Sequence, residues 1–258
     1  MGTDGYGNGY LKPLCRAWPG DEARLGQTEL INRSGRKFIV NERKKYDLNR
    51  LYQLSYVNLR ETVGDIQLPL VVSTKQLPSG LINFKAAMKK NRFEKFVHFY
   101  LDDGEFECVW RNPQRYVKRL SLFSGVLTPD FSLYTDMPTV VQAWNVYRSR
   151  ILGRIFHQAG CKVIPTVSWS DSKSFLFAFD GIQRHSIVSI SSVGIWRDKN
   201  FYQLFLKGLD AMIEKINPCC IVFYGKVPSY DFGPIIVKNY LPDTLWWKNK
   251  PRGVYYTE

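Results

Sequence analysis

The stretch of residues 121–169 constrains the fold most, because it contains a strand, a helix and a second strand in succession. An apolar run, Leu122–Leu127, is short enough to be a buried strand. Pro138 then opens a long stretch with helical spacing of apolar residues, and a proline in the first turn of a helix gives up no N–H that the helix needs. Gly160 suits the end of that helix, and Cys161–Ile164 begins the next strand. The stretch therefore predicts a right-handed βαβ unit.

The same alternation extends over most of the chain. Further apolar runs predict strands, and helical spacing predicts helices between them. The other predicted strands are 68–73, 96–101, 186–192 and 219–224, and the other predicted helices are 81–90, 112–120, 171–180 and 200–216. The alternative for 171–180 is a strand, since its apolar run fits both periods. Such alternation is typical of a parallel sheet with helices on its faces. We therefore expect an α/β fold with a mainly parallel six-stranded sheet, either open and doubly wound or an incomplete barrel.

The α/β pattern occupies the middle of the chain and predicts three parts. We expect residues 68–225 to form the α/β domain, residues 1–67 a basic N-terminal extension, and residues 226–258 an aromatic C-terminal tail packed on the domain.

The five cysteines include no C-x-x-C pair and the three histidines lack zinc-ligand spacing, which indicates reduced thiols. No apolar run reaches the roughly 18 residues of a membrane span, and no signal peptide is evident. We expect a cytoplasmic protein without a membrane partner.

The net charge of +13 favours polyanionic partners, nucleic acid first. Basic residues cluster in the N-terminal extension and in the predicted helix 112–120, where they could neutralise phosphates. The residues expected to contact nucleic acid are Arg36, Lys37, Arg43, Lys44 and Lys45, followed by Lys118 and Arg119. The alternative for the extension is a solvated segment that only packs on the main domain.

Carboxylates that follow two predicted strands are the best candidates for chemistry. Asp102 and Asp103 follow strand 96–101, and Asp130 follows strand 122–127. Because ligands gather beyond the carboxyl ends of parallel strands, we expect Asp130 to be the central catalytic residue, assisted by Asp102 and Asp103. The cluster could hold Mg²⁺ or Mn²⁺ through Asp130 and Asp102, or could act as an acid–base pair. The alternative is that Asp-Asp-Gly is ordinary turn chemistry.

A second candidate is an anion site after strand 186–192. The sequence Ser-Ser-Val-Gly at 191–194 has small residues that would let the backbone approach a phosphate. We expect Ser192, Gly194 and Arg197 to contact the anion, and the alternative is a plain β-to-α turn. The chain contains neither a Walker loop nor a dinucleotide-binding glycine motif after a strand.

The long predicted helix carries a polar stripe. Gln142, Asn145 and Ser149 fall on one face, which is typical of a solvated side. Arg148 and Arg150 could clamp phosphates.

Several short motifs of residues 128–169 occur together. They are Thr-Pro-Asp-Phe-Ser at 128–132, Asp-Met-Pro at 136–138, Val-Ile-Pro-Thr at 163–166, and Trp169. This set resembles a family of uncharacterised proteins, catalogued as a domain of unknown function and found in bacteria, phages and mobile elements. The resemblance covers roughly Leu68 to Gly225. It implies a phage or mobile-element context, and the family has no activity to transfer.

Three functions remain open on these grounds. The first is a phage- or mobile-element-type protein that binds or processes nucleic acid through a basic surface. The second is a metal-dependent hydrolase of a phosphorylated or sugar substrate, based on the strand-end carboxylates. The third is a non-enzymatic interaction protein, with a protein partner, that blocks a host or rival factor.

Charge reversal of Arg43, Lys44 and Lys45 to Glu tests the basic extension. Bound cations release counterions from phosphates, so affinity for DNA or RNA should fall with salt, with a log–log slope of roughly −0.9 per contact on a duplex. The triple reversal should weaken binding to all sequences alike, as measured by fluorescence anisotropy at about 50 mM salt. The control reverses Lys248, Lys250 and Arg252, which changes the net charge equally. Binding that is insensitive to salt, or absent at that concentration, would contradict the prediction.

Overall fold

The computed structural model describes residues 51–242, together with the backbone of two short strands nearer the N-terminus. These strands are β1 (Thr28–Ile31) and β2 (Lys37–Val40), which pair antiparallel. The chain divides into two compact units, Met1–Asp47 and Leu48–Glu258. The second unit contains all the elements described below.

In the described part of the second unit, residues 51–52 are helical, and two 3₁₀ turns and a small antiparallel pair follow. The turns are Leu54–Tyr56 and Leu59–Glu61, and the paired strands are β3 (Thr62–Val63) and β4 (Leu68–Pro69). The backbone N–H of Leu70 donates to the carbonyl of Glu61, which extends the pairing by one bond.

Parallel strands form two sheets. The first contains β5 (Leu81–Asn83), β6 (Phe96–His98), β7 (Gly125–Leu127) and β8 (Val163–Ile164) in that order. The second contains β9 (Ile187–Ser191), β10 (Cys220–Tyr224) and β11 (Ile236–Tyr240), with β10 in the middle.

A parallel bridge between Thr166 and Ser189 joins the two sheets just beyond β8. The N–H of Val167 donates to the carbonyl of Ser189 at 2.8 Å, and the N–H of Ser189 donates to the carbonyl of Pro165 at 2.9 Å. With this bridge, each parallel strand from β5 to β11 lies beside the strand that follows it in the chain.

Helices connect the parallel strands. They are α1 (Phe84–Ala87), α2 (Glu107–Arg111), α3 (Pro113–Leu120), α4 (Thr139–Gln158) and α5 (Lys199–Ile216), with 3₁₀ turns at Asp103–Glu105, Ser174–Leu176 and Ile195–Arg197. The side chain of Asp198 caps α5 by accepting from the N–H of Asn200, and Asn217 ends the helix in the left-handed conformation. None of the helices between residues 51 and 242 is long and apolar enough to cross a membrane.

Two hydrophobic clusters lie between the strands and the helices. Val97, Val126 and Val163 of the first sheet pack with residues of α2, α3 and α4. Val188, Ile190, Ile221 and Phe223 of the second sheet pack with Phe205, Leu209 and Met212 of α5.

A third cluster takes side chains from all seven parallel strands. Its buried members include Leu81, Phe96, Leu127, Ile164, Ile187, Cys220 and Val222, and Tyr240 of β11 packs against it. Side chains alternate between the two faces of a strand, so this cluster lies on the face turned away from the helices. Close packing there requires a glycine: a side chain at Gly125 would overlap the ring of Phe96 on the neighbouring strand.

Two predicted elements are corrected by the structure. The strand expected at 68–73 contributes β4, which pairs antiparallel with β3 and does not join the parallel sheets. Pro69 has no N–H to donate to a ladder, which restricts it to short or edge strands. The helix expected at 81–90 begins as strand β5, because Asn83 caps a helix that starts only at Phe84, accepting from the N–H of Ala86 at 2.8 Å.

Two further segments differ from expectation. Residues 171–180 form only the 3₁₀ turn Ser174–Leu176, and the tail from residue 226 contains strand β11. That strand includes Lys238 and Asn239 and is largely exposed, so it lacks the apolar run that marks a buried strand. The structure confirms a mixed α/β fold with parallel strands. Because the strands are grouped as four and three, a single six-stranded sheet is not confirmed.

The substitution Gly125→Ala tests the packing of the strand face that lies away from the helices. The added methyl group would overlap the Phe96 ring, so we expect the free energy of unfolding to fall by about 1–3 kcal/mol. Denaturant unfolding followed by circular dichroism measures the change. Adding Phe96→Leu should lessen the loss caused by the alanine, since it removes the overlapping ring.

The control is Gly104→Ala, since no atom lies within 4 Å of the position its Cβ would take. Equal losses in the two alanine variants would contradict the close approach of β6 and β7.

Candidate functional site

The strand face turned away from the helices changes from apolar to polar toward the carboxyl ends of the strands. Beyond the apolar cluster lie buried polar residues from four strands or their ends, namely His98, Tyr100, Thr166, Ser189 and Tyr224. Carboxyl ends of parallel strands are where ligands bind in α/β folds. This polar end is therefore the candidate site.

Tyr100 and Ser189 form the hydrogen bond at the centre of the site. Their hydroxyl oxygens lie 2.6 Å apart, and the Ser189 hydroxyl donates to the carbonyl of Val222 at 3.0 Å. Since that bond uses the only proton of Ser189, Tyr100 is the donor in the first bond. Burial, reinforced by the negative charge of Asp130, raises the pKa of Tyr100 well above its usual value. The phenol therefore stays protonated at neutral pH.

Three rings pack together around this bond. The ring centroids of Tyr100 and Tyr224 are 4.7 Å apart in a stacked arrangement, and those of His98 and Tyr224 are 4.6 Å apart. Burial lowers the pKa of His98 to about 3, so the imidazole is neutral at neutral pH. Its Nδ1 accepts from the backbone N–H of Tyr100 at 3.3 Å, which places the proton of the neutral ring on Nε2.

Asp130 lies in the loop after β7 and is only partly exposed. Burial raises the pKa of its carboxyl to about 7; a hydrogen bond with Ser168 opposes the shift, and the charge of Asp103 adds to it. A carboxyl group with this pKa exists in both protonation states at neutral pH. It can therefore give or take a proton, which is what acid–base catalysis needs.

The Asp130 loop is fixed at its start by the ends of β7 and β8. The backbone N–H of Thr166 donates to Thr128 Oγ1 at 2.8 Å, and the Thr166 hydroxyl donates to the carbonyl of Thr128 at 2.7 Å. Thr128 Oγ1 also lies 3.1 Å from Ser149 Oγ on α4. These bonds tie both strand ends to the long helix.

The far side of the loop is fixed through Ser132. The Asp103 carboxylate accepts from the Ser132 hydroxyl at 2.9 Å and from its backbone N–H at 3.2 Å. Burial raises the pKa of Asp103, and the hydrogen bonds with Ser132 oppose that shift. The carbonyl of Ser132 accepts from Asn145 Nδ2 at 2.7 Å. The loop is thus held from both α4 and the turn after β6.

The polar stripe of α4 has this positioning role and is not a solvated face. Arg148 donates to Asn145 Oδ1 at 2.6 Å, pairs with Glu107 at 2.7 Å and lies 3.8 Å from the centroid of the Phe131 ring. Buried Gln142 donates to the carbonyl of Met137 at 2.8 Å. These contacts give Arg148 a structural role beside the Asp130 loop.

Arg150 is a fully buried cation, with 2% of its surface exposed. Its guanidinium donates to the carbonyls of Asp180 at 2.9 Å, Thr166 at 3.1 Å and Ala178 at 2.7 Å. Burial lowers its pKa to about 10, against the opposing charge of Asp180, so it remains protonated at neutral pH. Arg150 therefore holds the connection between β8 and β9 and has no surface from which to clamp a phosphate.

The structure brings two of the three predicted carboxylates together. Asp130 and Asp103 lie close enough for the charge of one to raise the pKa of the other. Asp102 begins the 3₁₀ turn after β6 with an exposed side chain. Within residues 51–242, no group of three His, Cys, Asp or Glu side chains is arranged to hold a metal ion. The ligand role of Asp130 and Asp102 toward Mg²⁺ or Mn²⁺ thus stays a prediction.

The predicted anion-binding residues follow β9 at the same edge. The Ser192 hydroxyl donates to the carbonyl of Lys226 at 2.7 Å and is almost completely buried, so it links the loops after β9 and β10. Gly194 has φ of 97°, and Arg197 ends an exposed 3₁₀ turn. Their contact with an anion stays a prediction.

Most of the predicted nucleic-acid contacts fall outside the described residues. Arg36, Arg43, Lys44 and Lys45 lie there, and of Lys37 only its place at the start of β2 is described.

The second predicted group, Lys118 and Arg119, is described. Arg119 donates to the carbonyls of Ala87 and Lys90 at 3.2 and 3.1 Å, which joins α3 to the segment after α1. These two segments carry five exposed cations, which we call the basic face: Lys89, Lys90, Arg92, Arg115 and Lys118. The face precedes β6 and β7, at the edge opposite Asp130.

The residues that sequence reasoning missed are His98, Tyr100, Ser189 and Tyr224. They lie within or directly after apolar strands, where single polar residues attract little attention. The pattern that could have identified them is the two-residue alternation of a strand. His98 and Tyr100 are two residues apart, so their side chains face the same side of the strand.

The substitution Asp130→Asn tests the raised pKa through stability. A carboxyl whose pKa is raised on folding stabilises the fold fully below its unfolded pKa, and loses that contribution as the pH rises to about 7. Between about pH 5 and pH 8 the free energy of unfolding of the parent should therefore fall by on the order of 2 kcal/mol more than that of Asp130→Asn. Denaturant unfolding at each pH measures this.

Asp136→Asn, a change of an exposed carboxylate in the same connection, is the control and should keep the pH dependence of the parent. Parallel pH profiles for the parent and Asp130→Asn would show that the pKa is ordinary.

Two curated relatives match half of the chain. The Gene 1 protein of Mycobacterium phage L5 is 44% identical over 135 residues, which are 52% of this chain and 59% of the relative. The Gene 1 protein of Mycobacterium phage D29 is 42% identical over 135 residues, which are 52% of this chain and 50% of the relative. The chain thus spans about half the length of the curated relatives it matches. No solved structure matches it.

The family comparison covers most of the described residues. The model of the family described as "Domain of unknown function (DUF4417)" matches residues 60–241. This match confirms the resemblance inferred from the motifs between residues 128 and 169, and the phage relatives agree with the context it implied. The chain therefore belongs to the DUF4417 family of uncharacterised, phage-associated proteins.

Proposed function

We propose that this phage-type protein is an enzyme whose site is the polar carboxyl end of the parallel strands, with Asp130 as its acid–base group. The observation that carries the proposal is the placement of Asp130, with a pKa of about 7, beside the Tyr100 phenol and the Ser168 side chain. Buried carboxyls with such pKa values concentrate at catalytic sites. The proposed substrate is the phosphorylated or sugar substrate of a hydrolase, because an acid–base carboxyl can protonate the leaving oxygen of either class.

In this mechanism each group has a separate task. Ionised Asp130 takes a proton from the attacking water or hydroxyl, and protonated Asp130 returns it to the leaving group. Asp103 accepts the two bonds from Ser132 and keeps the loop in place. Tyr100, held by Ser189, fixes the edge of the site and excludes water from it. If a divalent ion takes part, Asp130 and Asp102 are the carboxylates that would approach it.

The fold proposed along with this site is an incomplete barrel of seven parallel strands. Three observations support it: the Thr166–Ser189 bridge between the sheets, the cluster with side chains from every parallel strand, and the bond from the Tyr240 hydroxyl to the carbonyl of Pro78 at 2.6 Å. That bond connects the strand at the outer side of the second sheet with the segment before β5. Active sites of parallel barrels lie at the carboxyl ends of the strands, as Asp130 does.

The basic face favours a second function, binding of nucleic acid. Its five exposed cations lie around the junction of α1 and α3, and such a patch attracts phosphates. Because the face precedes β6 and β7, binding there would leave the Asp130 site open at the opposite edge. A nucleic-acid-binding role and an enzymatic role can therefore belong to one chain. The residues outside the described part, Arg36, Arg43, Lys44 and Lys45, would add to such binding.

Turnover of a substrate panel tests the enzymatic proposal. We expect the protein to hydrolyse at least one of a set of p-nitrophenyl phosphates and glycosides. The rate of Asp130→Asn should be lower by about 10²–10⁴-fold, the usual contribution of an acid–base group. The pH profile of the parent should show an ionisation near 7 that the variant lacks.

Asp136→Asn again serves as the control and should retain the parent rate. Full activity in Asp130→Asn would make Asp130 structural. Lack of turnover across the whole panel would favour the non-enzymatic alternative, a protein that blocks another factor by binding it.

A further inference from the structure

A pocket of about 260 Å³ lies between the outer strands of the two parallel sheets. Asn83 of β5 and His98 of β6 line one side, and Asn239 and Tyr240 of β11 line the other. The volume is below the roughly 300–1,000 Å³ of pockets for drug-sized ligands. It therefore fits a compact ligand, no larger than a mononucleotide.

Three aromatic side chains contribute to the pocket wall. His98, Tyr100 and Tyr224 all line it, and their ring centroids lie within 5.5 Å of one another. Clustered aromatic rings favour a planar ligand, because a nucleobase stacks on such rings. The wall thus selects for a planar heterocycle.

His98 supplies a hydrogen-bond donor that the protein does not use. Its Nδ1 accepts from Tyr100, so the proton is on Nε2, which has no partner among the described residues. The side chain is 4% exposed and lines the pocket, so Nε2 is a donor that a ligand in the pocket could use. Asn83 accepts from Ala86 through Oδ1, which leaves its Nδ2 as a second donor on the same side of the pocket. A ligand with acceptor atoms, such as the ring nitrogens and carbonyls of a base, would satisfy both.

The pocket also has a positive charge. Lys95 lines it and makes no ion pair within the described chain, and none of the described residues that line the pocket is acidic. Lys95, just before β6, and His98, at the end of β6, both line the pocket, and their backbones are about 10 Å apart along the strand. That separation suits a ligand with a base at one end and a phosphate at the other.

We infer that this pocket binds a nucleoside monophosphate, with the base against His98, Tyr100 and Tyr224 and the phosphate at Lys95. The inference rests on the proposed function in one respect: Tyr100 belongs both to the pocket and to the Asp130 cluster, so the ligand would be the substrate or product of that site. A nucleoside monophosphate is a phosphorylated sugar, which agrees with the substrate class proposed above.

Calorimetric titration of the full chain tests the inference without turnover. The probes are AMP, GMP, CMP and UMP, with the matching nucleosides and ribose 5-phosphate for comparison. We expect at least one monophosphate to bind with a dissociation constant below about 1 mM, and its nucleoside and ribose 5-phosphate to bind at least tenfold more weakly. Ribose 5-phosphate that binds as tightly as every monophosphate would overturn the role of the rings.

Two substitutions separate the parts of the pocket. His98→Phe keeps a ring and removes the donor, so it should weaken the nucleotide and its nucleoside alike, by about tenfold. Lys95→Gln, at a partly exposed position where the fold is not at risk, should reduce the affinity of the monophosphate to that of the nucleoside. The control is Lys199→Gln, at the exposed start of α5, which should change nothing.

The results distinguish this inference from the proposed function. Failure of all four monophosphates to bind, or binding that both substitutions leave unchanged, would overturn the pocket assignment. Turnover of a panel substrate without nucleotide binding would overturn the assignment of the pocket to a nucleotide and leave the acid–base function standing. Nucleotide binding without turnover of any substrate, the nucleotide included, would overturn the acid–base function alone.

Discussion

The burial of Arg150 is the interaction on which the arrangement of strand ends depends. Removal of a guanidinium from water costs several kcal/mol unless every donor is satisfied. Three backbone carbonyls meet this need, and two of them, those of Asp180 and Ala178, lie in the connection between β8 and β9. Loss of that connection would leave a buried charge unpaired. The cation on α4 thus holds together the two sheets whose polar ends form the candidate site.

The site follows from the same packing constraint. Apolar side chains fill the amino half of the strand face away from the helices, and polar groups occupy the carboxyl half. Asp130 enters this polar half on a loop that Thr166 ties at one end and Asp103 at the other. Low solvent access then keeps the carboxyl partly protonated at neutral pH. The packing that positions the Asp130 loop therefore also buries the carboxyl and raises its pKa.

The sequence predicted the parts of the fold with strong local signals. The βαβ unit of residues 121–169 was read correctly, because its apolar period and its terminal Pro138 and Gly160 agree. Strand β11 was not predicted, because its exposed residues form no apolar run. Asp130 and Asp103 were recognised from their place after strands, whereas Tyr100 and Ser189 depend on contacts between residues 89 positions apart. The polar stripe of α4 was misread, since its burial depends on a loop whose path no local pattern specifies.

If Asp130 gives and takes protons near neutral pH, as proposed, its carboxyl must titrate in that range. The most direct test is the carbon-13 shift of the Asp130 carboxyl between about pH 3 and pH 9, the range that spans both outcomes. The signal is assigned by its loss in Asp130→Asn. We predict a midpoint near 7. A midpoint near 4, the ordinary value for an aspartate, would contradict the account.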